Sequence, residues 1–270
     1  MSANRNGQAH EIRLLIRPGR HMSDRERDAL VAELREVAAT CFDEIPEYQC
    51  LVGTREALAD KVIAVARRPD GRMAGFCSTV MLRVPGVGDV MHLGLTCVRP
   101  EDRKYGLTHK LTSKAVIGYA LRYRPFGRLW ISNCACVLSS LGNVAMHFDA
   151  VYPTPFTSAK PGETHRRIAA AIDVKYRDAM YVLPGAIFDP DAFVFRGSVK
   201  DTVFQKEAEE RSFHHRNRTV NDYYTNLLSF DEGDEVLQVG YIHLLSSAPR
   251  YFWRKFRLRR RAQVLASAER

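Results

Sequence analysis

The sequence predicts an α/β fold of the α+β kind, with a mixed, mostly antiparallel central sheet flanked by helices. Three observations predict it. Three strand-like runs follow one another between residues 62 and 98 with turn residues between them, which is an antiparallel meander. The last of these is followed by a long helical-period segment and then another apolar strand, which is a βαβ unit. Finally, 46% of the 270 residues are hydrophobic, enough to cover such a sheet on both sides.

Each element has its own signal. Glu11 to Arg17 (EIRLLIR) reads as a first strand closed by Pro18-Gly19. Ser23 stands three residues before Glu26, a capping-box spacing, and Leu30, Leu34, Val37 and Ala38 follow at helical intervals, so a helix is expected from Asp24 to Phe42. Thr54 opens a short second helix. Val62 to Arg68 and Met73 to Val84 are strands joined at Asp70-Gly71, a pair suited to positive-φ hairpin geometry. Asp89 to Val98 is the third strand, Gly106 to Tyr123 a long helix, Arg128 to Val137 a strand and Ser139 to Val151 a helix. Beyond Tyr152-Pro153-Thr154-Pro155, Thr164 to Arg177 and Thr202 to His215 read as helices, while Tyr181 to Leu183, Phe193 to Phe195 and Val236 to Ile242 read as short strands. The expected organisation is a core over 1–155, a half over 156–248 that completes or extends it, and a basic tail over 249–270.

Composition excludes several classes. No apolar run approaches the roughly 18–20 residues of a spanning helix, and Leu14-Leu15-Ile16 is too short for a signal-peptide core, so a cytoplasmic protein is expected. Among the six cysteines there is no C-x-x-C pair, and two thiols such as Cys134 and Cys136 do not make a metal site. Buried free thiols and no metal are expected.

The segment that carries chemistry is Leu93 to Leu111, LGLTCVRPEDRKYGLTHKL. A strand that turns directly into a helix start leaves backbone N–H groups unpaired, and the helix dipole makes that point attractive to anions. Gly106 permits close approach of a diphosphate, Arg103 and Lys104 add charge, and Thr108 adds a hydroxyl donor. Here the chain resembles the GNAT acyltransferase superfamily, whose pyrophosphate loop reads Arg/Gln-x-x-Gly-x-Gly/Ala after a strand ending in Val-x-Pro. Val98-x-Pro100 and Arg103-x-x-Gly106-x-Thr108 carry the likeness, with Thr108 where the family has a small residue. Together with the order of elements from Glu11 to Val151, it covers about half the chain.

The resemblance implies acetyl-CoA or a longer acyl-CoA as donor, or an acyl group on an acyl carrier protein. Its diphosphate would lie on the amides of Arg103, Lys104, Tyr105, Gly106, Leu107 and Thr108, and its pantetheine arm would pair with Thr96, Cys97 and Val98 and be held by Asn143. The implied reaction is direct transfer of the acyl group to an amine, which needs a base for the amine, an oxyanion site and a proton for the leaving thiolate. His92 is the central titratable side chain of the third meander strand and the candidate base; His147 and Tyr152 are the candidate acids. Asp43, Glu44 and Glu47 occupy the substrate-facing loop and would attract a cationic amine.

The net charge of +9 resides mainly in residues 249–270, where eight basic side chains face only Glu269, leaving +2 for the rest. Arg250, Arg254, Arg257 and Arg261 form one helical stripe, with Phe252, Trp253 and Phe256 on the other side. This composition suits an anionic membrane surface or an acidic carrier protein, and a peripheral membrane location follows. No groove-reading motif points to nucleic acid. The alternative to an acyltransferase is a catalytically degenerate acyl-CoA-binding protein, or a membrane- or nucleic-acid-binding protein acting through this tail.

Overall fold

Strands covered on both faces need near-continuous apolar sequence, and Val62 to Ala66 and Met73 to Leu82 come close to it on either side of the Asp70-Gly71 turn. The computed structural model describes residues 10–245. In chain order it contains β1 (Glu11–Ile16), α1 (Asp24–Ala38), α2 (Arg55–Leu58), β2 (Lys61–Arg67), β3 (Met73–Val84), β4 (Gly88–Val98), α3 (Leu107–Tyr123), β5 (Arg128–Ala135), α4 (Leu138–His147), β6 (Asp149–Tyr152), α5 (Glu163–Lys175), α6 (Arg177–Met180), β7 (Ile187–Asp189), β8 (Val194–Arg196), α7 (Arg218–Thr225) and β9 (Glu235–His243). One sheet runs β1-β2-β3-β4-β5-β9-β8-β7, with β6 added to β9. Only β4 and β5 are parallel neighbours; the other pairs are antiparallel. The mixed, mostly antiparallel sheet flanked by helices is the expected fold class.

Side-chain alternation divides the core into two layers. On one face Ile63, Val65, Phe76 and Leu95 pack against Leu30, Leu34 and Val37 of α1, and Val80, Leu82 and Val239 pack against Ile168 and Ile172 of α5. On the other, Val62, Met81, Met91 and Ile131 meet Val116 and Tyr119 of α3 and Val144 of α4. The α1 and α5 face is called the proximal face below, and the α3 and α4 face the distal one.

Local chemistry sets the element ends. The Ser23 capping box forms as expected: Glu26 N–H donates to Ser23 Oγ at 3.3 Å, and Ser23 N–H donates to Glu26 Oε2 at 2.9 Å. The helix stops at Ala38 and not Phe42, where the Thr40 hydroxyl donates to Val37 O at 2.7 Å. The helix expected to reach Val151 ends at His147, because Val151 is drawn into the distal core and Asp149–Tyr152 becomes β6 against β9. No helix spans 202–215. There Thr202 donates to Val199 O at 2.8 Å, Gln205 reaches Phe230 O at 2.9 Å, and Asp201 adopts a left-handed φ of 58°, so side chains bond turns in place of a helix ladder. Tyr181 to Leu183 is a turn, not a strand, since Tyr181 has φ 64°. A helix that the sequence reading did not include, α7, starts at Arg218, where Asn217 accepts the Thr219 N–H at 3.0 Å and caps it. The basic tail over 249–270 lies outside the described residues.

Candidate functional site

The site is a gap in the sheet. β4 pairs with β5 from Val90↔Trp130 to Leu93↔Asn133 and, among the described residues, no further. The rest of β4, Gly94 to Val98, keeps β3 on one edge and leaves the other edge open. The Arg99 N–H donates to Ala74 O at 2.9 Å, on the β3 side. Alternation along the strand therefore turns the N–H and C=O of Val98 and Thr96 toward the gap. A bulge marks the parting: Cys77 faces Thr96 but Thr79 faces Leu93, so Gly94 and Leu95 both stand opposite Ser78. Gly94 is needed there, since a Cβ would come within 2.6 Å of the Gln49 amide carbon. Gln49 is buried against this bulge, donating to Ala179 O at 3.1 Å and accepting from Ser78 Oγ at 3.2 Å.

Above the gap the chain passes through a short 3-10 turn, Pro100–Tyr105, into α3. Asp102 anchors this turn. It is buried, and takes hydrogen bonds from Arg68 Nε at 3.0 Å and His10 Nε2 at 3.0 Å. Burial works to raise its pKa, but Arg68 and His10 outweigh that and hold it below the ordinary value. Arg99 fixes the strand end by donating to Met73 O at 2.9 Å and Glu36 Oε1 at 2.5 Å. Gly106 then adopts φ 65° and ψ 32°. A helical residue followed by a left-handed one points successive N–H groups into one concavity, an anion nest. No other part of the chain comes within 4 Å of where a Gly106 Cβ would lie, so the outside of the turn is clear; the Gly106 N–H itself donates to Arg103 O at 3.2 Å, which leaves the amides of the first turn of α3 to face an anion. Arg103 and Lys104 have no carboxylate partner among the described residues. Arg103 lies along the strand end, Nε donating to Val98 O at 3.3 Å and Nη2 to the Cys41 sulfur at 3.9 Å. A hydrogen bond from the Cys97 thiol, with help from Thr40 and Arg103, overcomes desolvation and lowers the Cys41 pKa to about 5.

Polar side chains are buried on the proximal face at the parting. His92 shares a hydrogen bond through Nδ1 with Ser132 Oγ at 3.1 Å, while its buried Nε2 has no partner. Burial, reinforced by Lys61, pushes its pKa down to about 3, so the ring is neutral. Beyond Asn133, Cys134 points to the same face, and its thiol donates to Glu235 Oε2 at 3.6 Å. Ser198 Oγ donates to the same oxygen at 2.6 Å. Burial raises the Glu235 carboxyl to about 7, which these two bonds only partly offset.

The expected site residues divide into groups. Thr96, Cys97 and Val98 lie at the gap, and Arg103 to Thr108 lie on the turn and nest above it. His92 lies on the proximal face, while His147 is on α4 at the distal face, its ring centroid 5.3 Å from that of His109. Asn143 is exposed on α4 one turn before His147. Tyr152 shares the proximal row Val80, His92, Ser132, Val239, Tyr152, but β5 and β9 lie between it and His92, three strand spacings or about 14 Å. Its hydroxyl donates to Asp191 O at 2.7 Å. The three candidate acid and base groups therefore do not converge. Asp43, Glu44 and Glu47 are exposed, Glu47 accepting from Arg35 at 3.1 Å. Their loop instead sends Tyr48 and Gln49 into the core. Gln49, Ser132, Cys41 and Glu235 were not singled out from sequence. For Glu235 the only signal is its position between the Asp231-Glu232-Gly233 turn and the apolar run from Val236.

No protein-family model matches the chain, and no curated protein does. Solved structures do. A protein of the GNAT acetyltransferase family from Desulfovibrio desulfuricans is 21% identical over 47% of this chain and 74% of its own, with a TM-score of 0.33. A GNAT-family N-acetyltransferase from Escherichia coli, solved with CoA, is 15% identical over 47% and 62%, at 0.34. An aminoglycoside 6'-N-acetyltransferase from Acinetobacter baumannii is 17% identical over 52% and 87%, also at 0.34. Identities and scores this low concern the path of part of the chain; the chemistry has to come from its own residues.

Proposed function

We propose that the protein transfers an acyl group from acyl-CoA to an amine. The observation that carries this reading is the parting of β4 from β5 beyond Leu93, on the strand that leads through the clear turn at Gly106 into the N-terminus of α3. The residues fit such a donor. Its diphosphate matches the start of α3 with Arg103 and Lys104, and its amide-bearing arm matches the strand edge at Thr96 and Val98 that β5 leaves open, where, among the described residues, Val98 O is held only by side chains. When bound, the donor supplies a thioester carbonyl at the gap. A diphosphate nest favours CoA over a carrier protein, whose arm hangs from a single phosphodiester.

The chain's own groups then have separable tasks. The Thr96 and Val98 edge orients the arm as an added strand. Unpaired β4 amides near the Gly94 bulge polarise the carbonyl. Glu235, titrating near 7, takes the proton of the incoming amine, since a base is most effective when its pKa lies near the working pH. His92 stays neutral and offers Nε2 as a fixed polar wall. Asn143 and His147 line the α4 side of the arm's path, and Asp43, Glu44 and Glu47 give the loop a negative surface toward a cationic acceptor.

Titration calorimetry with CoA and release of free thiol from acetyl-CoA and a long-chain acyl-CoA over an amine panel test the reading. Micromolar CoA binding that Gly106→Val abolishes, with thiol release lowered at least a hundredfold by Glu235→Gln, is expected. A folded protein that binds no CoA overturns the donor assignment. CoA binding without thiol release for any amine leaves the degenerate acyl-CoA-binding protein as the better account.

A further inference from the structure

Residues 121–128 read Leu-Arg-Tyr-Arg-Pro-Phe-Gly-Arg, the end of α3 and the entry to β5. Every one except Gly127 is exposed. Leu121 retains 62% of its accessible surface and Phe126 80%, which for large apolar side chains so close in sequence is more than scattered exposure. Arg122 and Arg124 stand between them and Arg128 just beyond, none with a carboxylate partner among the described residues. Arg122 lies over the Tyr123 ring, 5.7 Å from its centroid, and Arg128 over the Tyr241 ring at 4.6 Å. Of the acids on neighbouring strands, Asp89 is paired with Arg83 at 2.8 Å, and Asp149 of β6 stands opposite Tyr241.

The same end of the molecule receives the end of β9. Arg128 pairs with His243, whose Nε2 approaches Phe126 O at 3.3 Å, and exposed Leu245 follows. From there the sequence runs into residues 249–270, with a charge of +7 and Tyr251, Phe252, Trp253 and Phe256. The sequence beyond Leu245 thus repeats the composition of 121–128, arginines interleaved with aromatic and aliphatic side chains. Arginines attracted to anionic headgroups and aromatic rings seated at the headgroup boundary are the chemistry of a bilayer interface. α3 separates this surface from the Gly106 nest by its 17 residues, about 26 Å.

We propose that residues 121–128 and Leu245 form a docking face for an anionic lipid bilayer. This does not depend on the acyltransferase reading, because the face and the nest lie at opposite ends of α3. A soluble acidic carrier protein docked here would also sit a helix length from the gap its cargo must reach.

The test is co-sedimentation of the full chain with vesicles of phosphatidylcholine alone or with 30% phosphatidylserine, at low and high salt. Leu121→Ser with Phe126→Ser, and Arg122→Ser with Arg124→Ser, are compared with the unaltered chain, using circular dichroism and CoA titration as folding controls. Binding only to the phosphatidylserine vesicles is expected, weakened by salt. The arginine pair should lose about thirtyfold in partitioning, at about fivefold each, with 249–270 intact. Variants that bind as the unaltered chain does would remove 121–128 from the face. Tight binding to an RNA or an acidic carrier protein, with none to the vesicles, would overturn the proposal.

Discussion

Glu235 can be tested through stability alone, without any ligand. The perturbation is Glu235→Gln, which keeps the shape and an oxygen for the Ser198 hydroxyl but cannot ionise. In the unfolded chain the carboxyl titrates near the ordinary 4.5, and in the fold burial raises it to about 7. Between those values the fold keeps a proton that the unfolded chain has released. Stability therefore falls as pH rises through this window, by about 3 kcal/mol in all, and below 4.5 the group costs nothing. The neutral amide of the variant carries no such penalty, so Glu235→Gln should gain about 3 kcal/mol on the unaltered protein between pH 4.5 and about pH 8. Thermal unfolding followed by circular dichroism at several pH values reads this as a relative rise in Tm of roughly 5–10 °C for a chain of this size. Comparing two proteins across pH cancels the other titrating groups. Parallel Tm curves for the pair would refute a buried, raised carboxyl, and with it the case for Glu235 as proton acceptor.

Three further expectations follow from the geometry. Iodoacetamide should label Cys41 before the other five cysteines, with a rate midpoint near pH 5, because Cys50, Cys77, Cys97 and Cys136 are buried with raised pKa values and Cys134 is raised further by Glu235; peptide mass spectrometry reads the order. Gly94→Ala should cost about 1–3 kcal/mol in urea unfolding, since the new Cβ displaces the Gln49 amide from Ser78 and Ala179. Gln238→Leu should cost about 2–4 kcal/mol by the same measurement, because buried Gln238 accepts from Asn133 Nδ2 at 3.2 Å and donates to Leu141 O at 3.1 Å, and both would be left unpaired.

Sequence periodicity reached those parts of the fold whose order is dictated locally. The capping box at Ser23, the Asp70-Gly71 turn and the apolar runs of β2, β3 and β4 are short-range signals, and the structure keeps them. Residues 202–215 show the limit. Their helical spacing is real, but Thr202 and Gln205 find better partners in Val199 and Phe230, the latter far along the chain. The candidate site divides in the same way. The Gly106 nest is contiguous in sequence, so its residues could be named from their order. Glu235 and Cys134 come together only because β9 inserts beside β5, a pairing between segments a hundred residues apart that no local pattern records. His92 was legible as a strand histidine, whereas its burial against Ser132, and hence its neutrality, was not.

The parting of the sheet also bears on how the molecule comes apart. Strands β1 to β4 and strands β5 to β9 are hydrogen-bonded to one another, among the described residues, only from Val90 to Leu93 against Trp130 to Asn133. This seam is parallel, the weaker kind of ladder per residue. In amide hydrogen exchange the seam should behave as the boundary between two cooperative blocks, with Thr96 and Val98 exchanging faster than Val90 to Leu93. A ligand laid along the open edge lengthens the seam and makes the blocks unfold as one. The protein's cooperativity, and not only its stability, is then set by what occupies the gap.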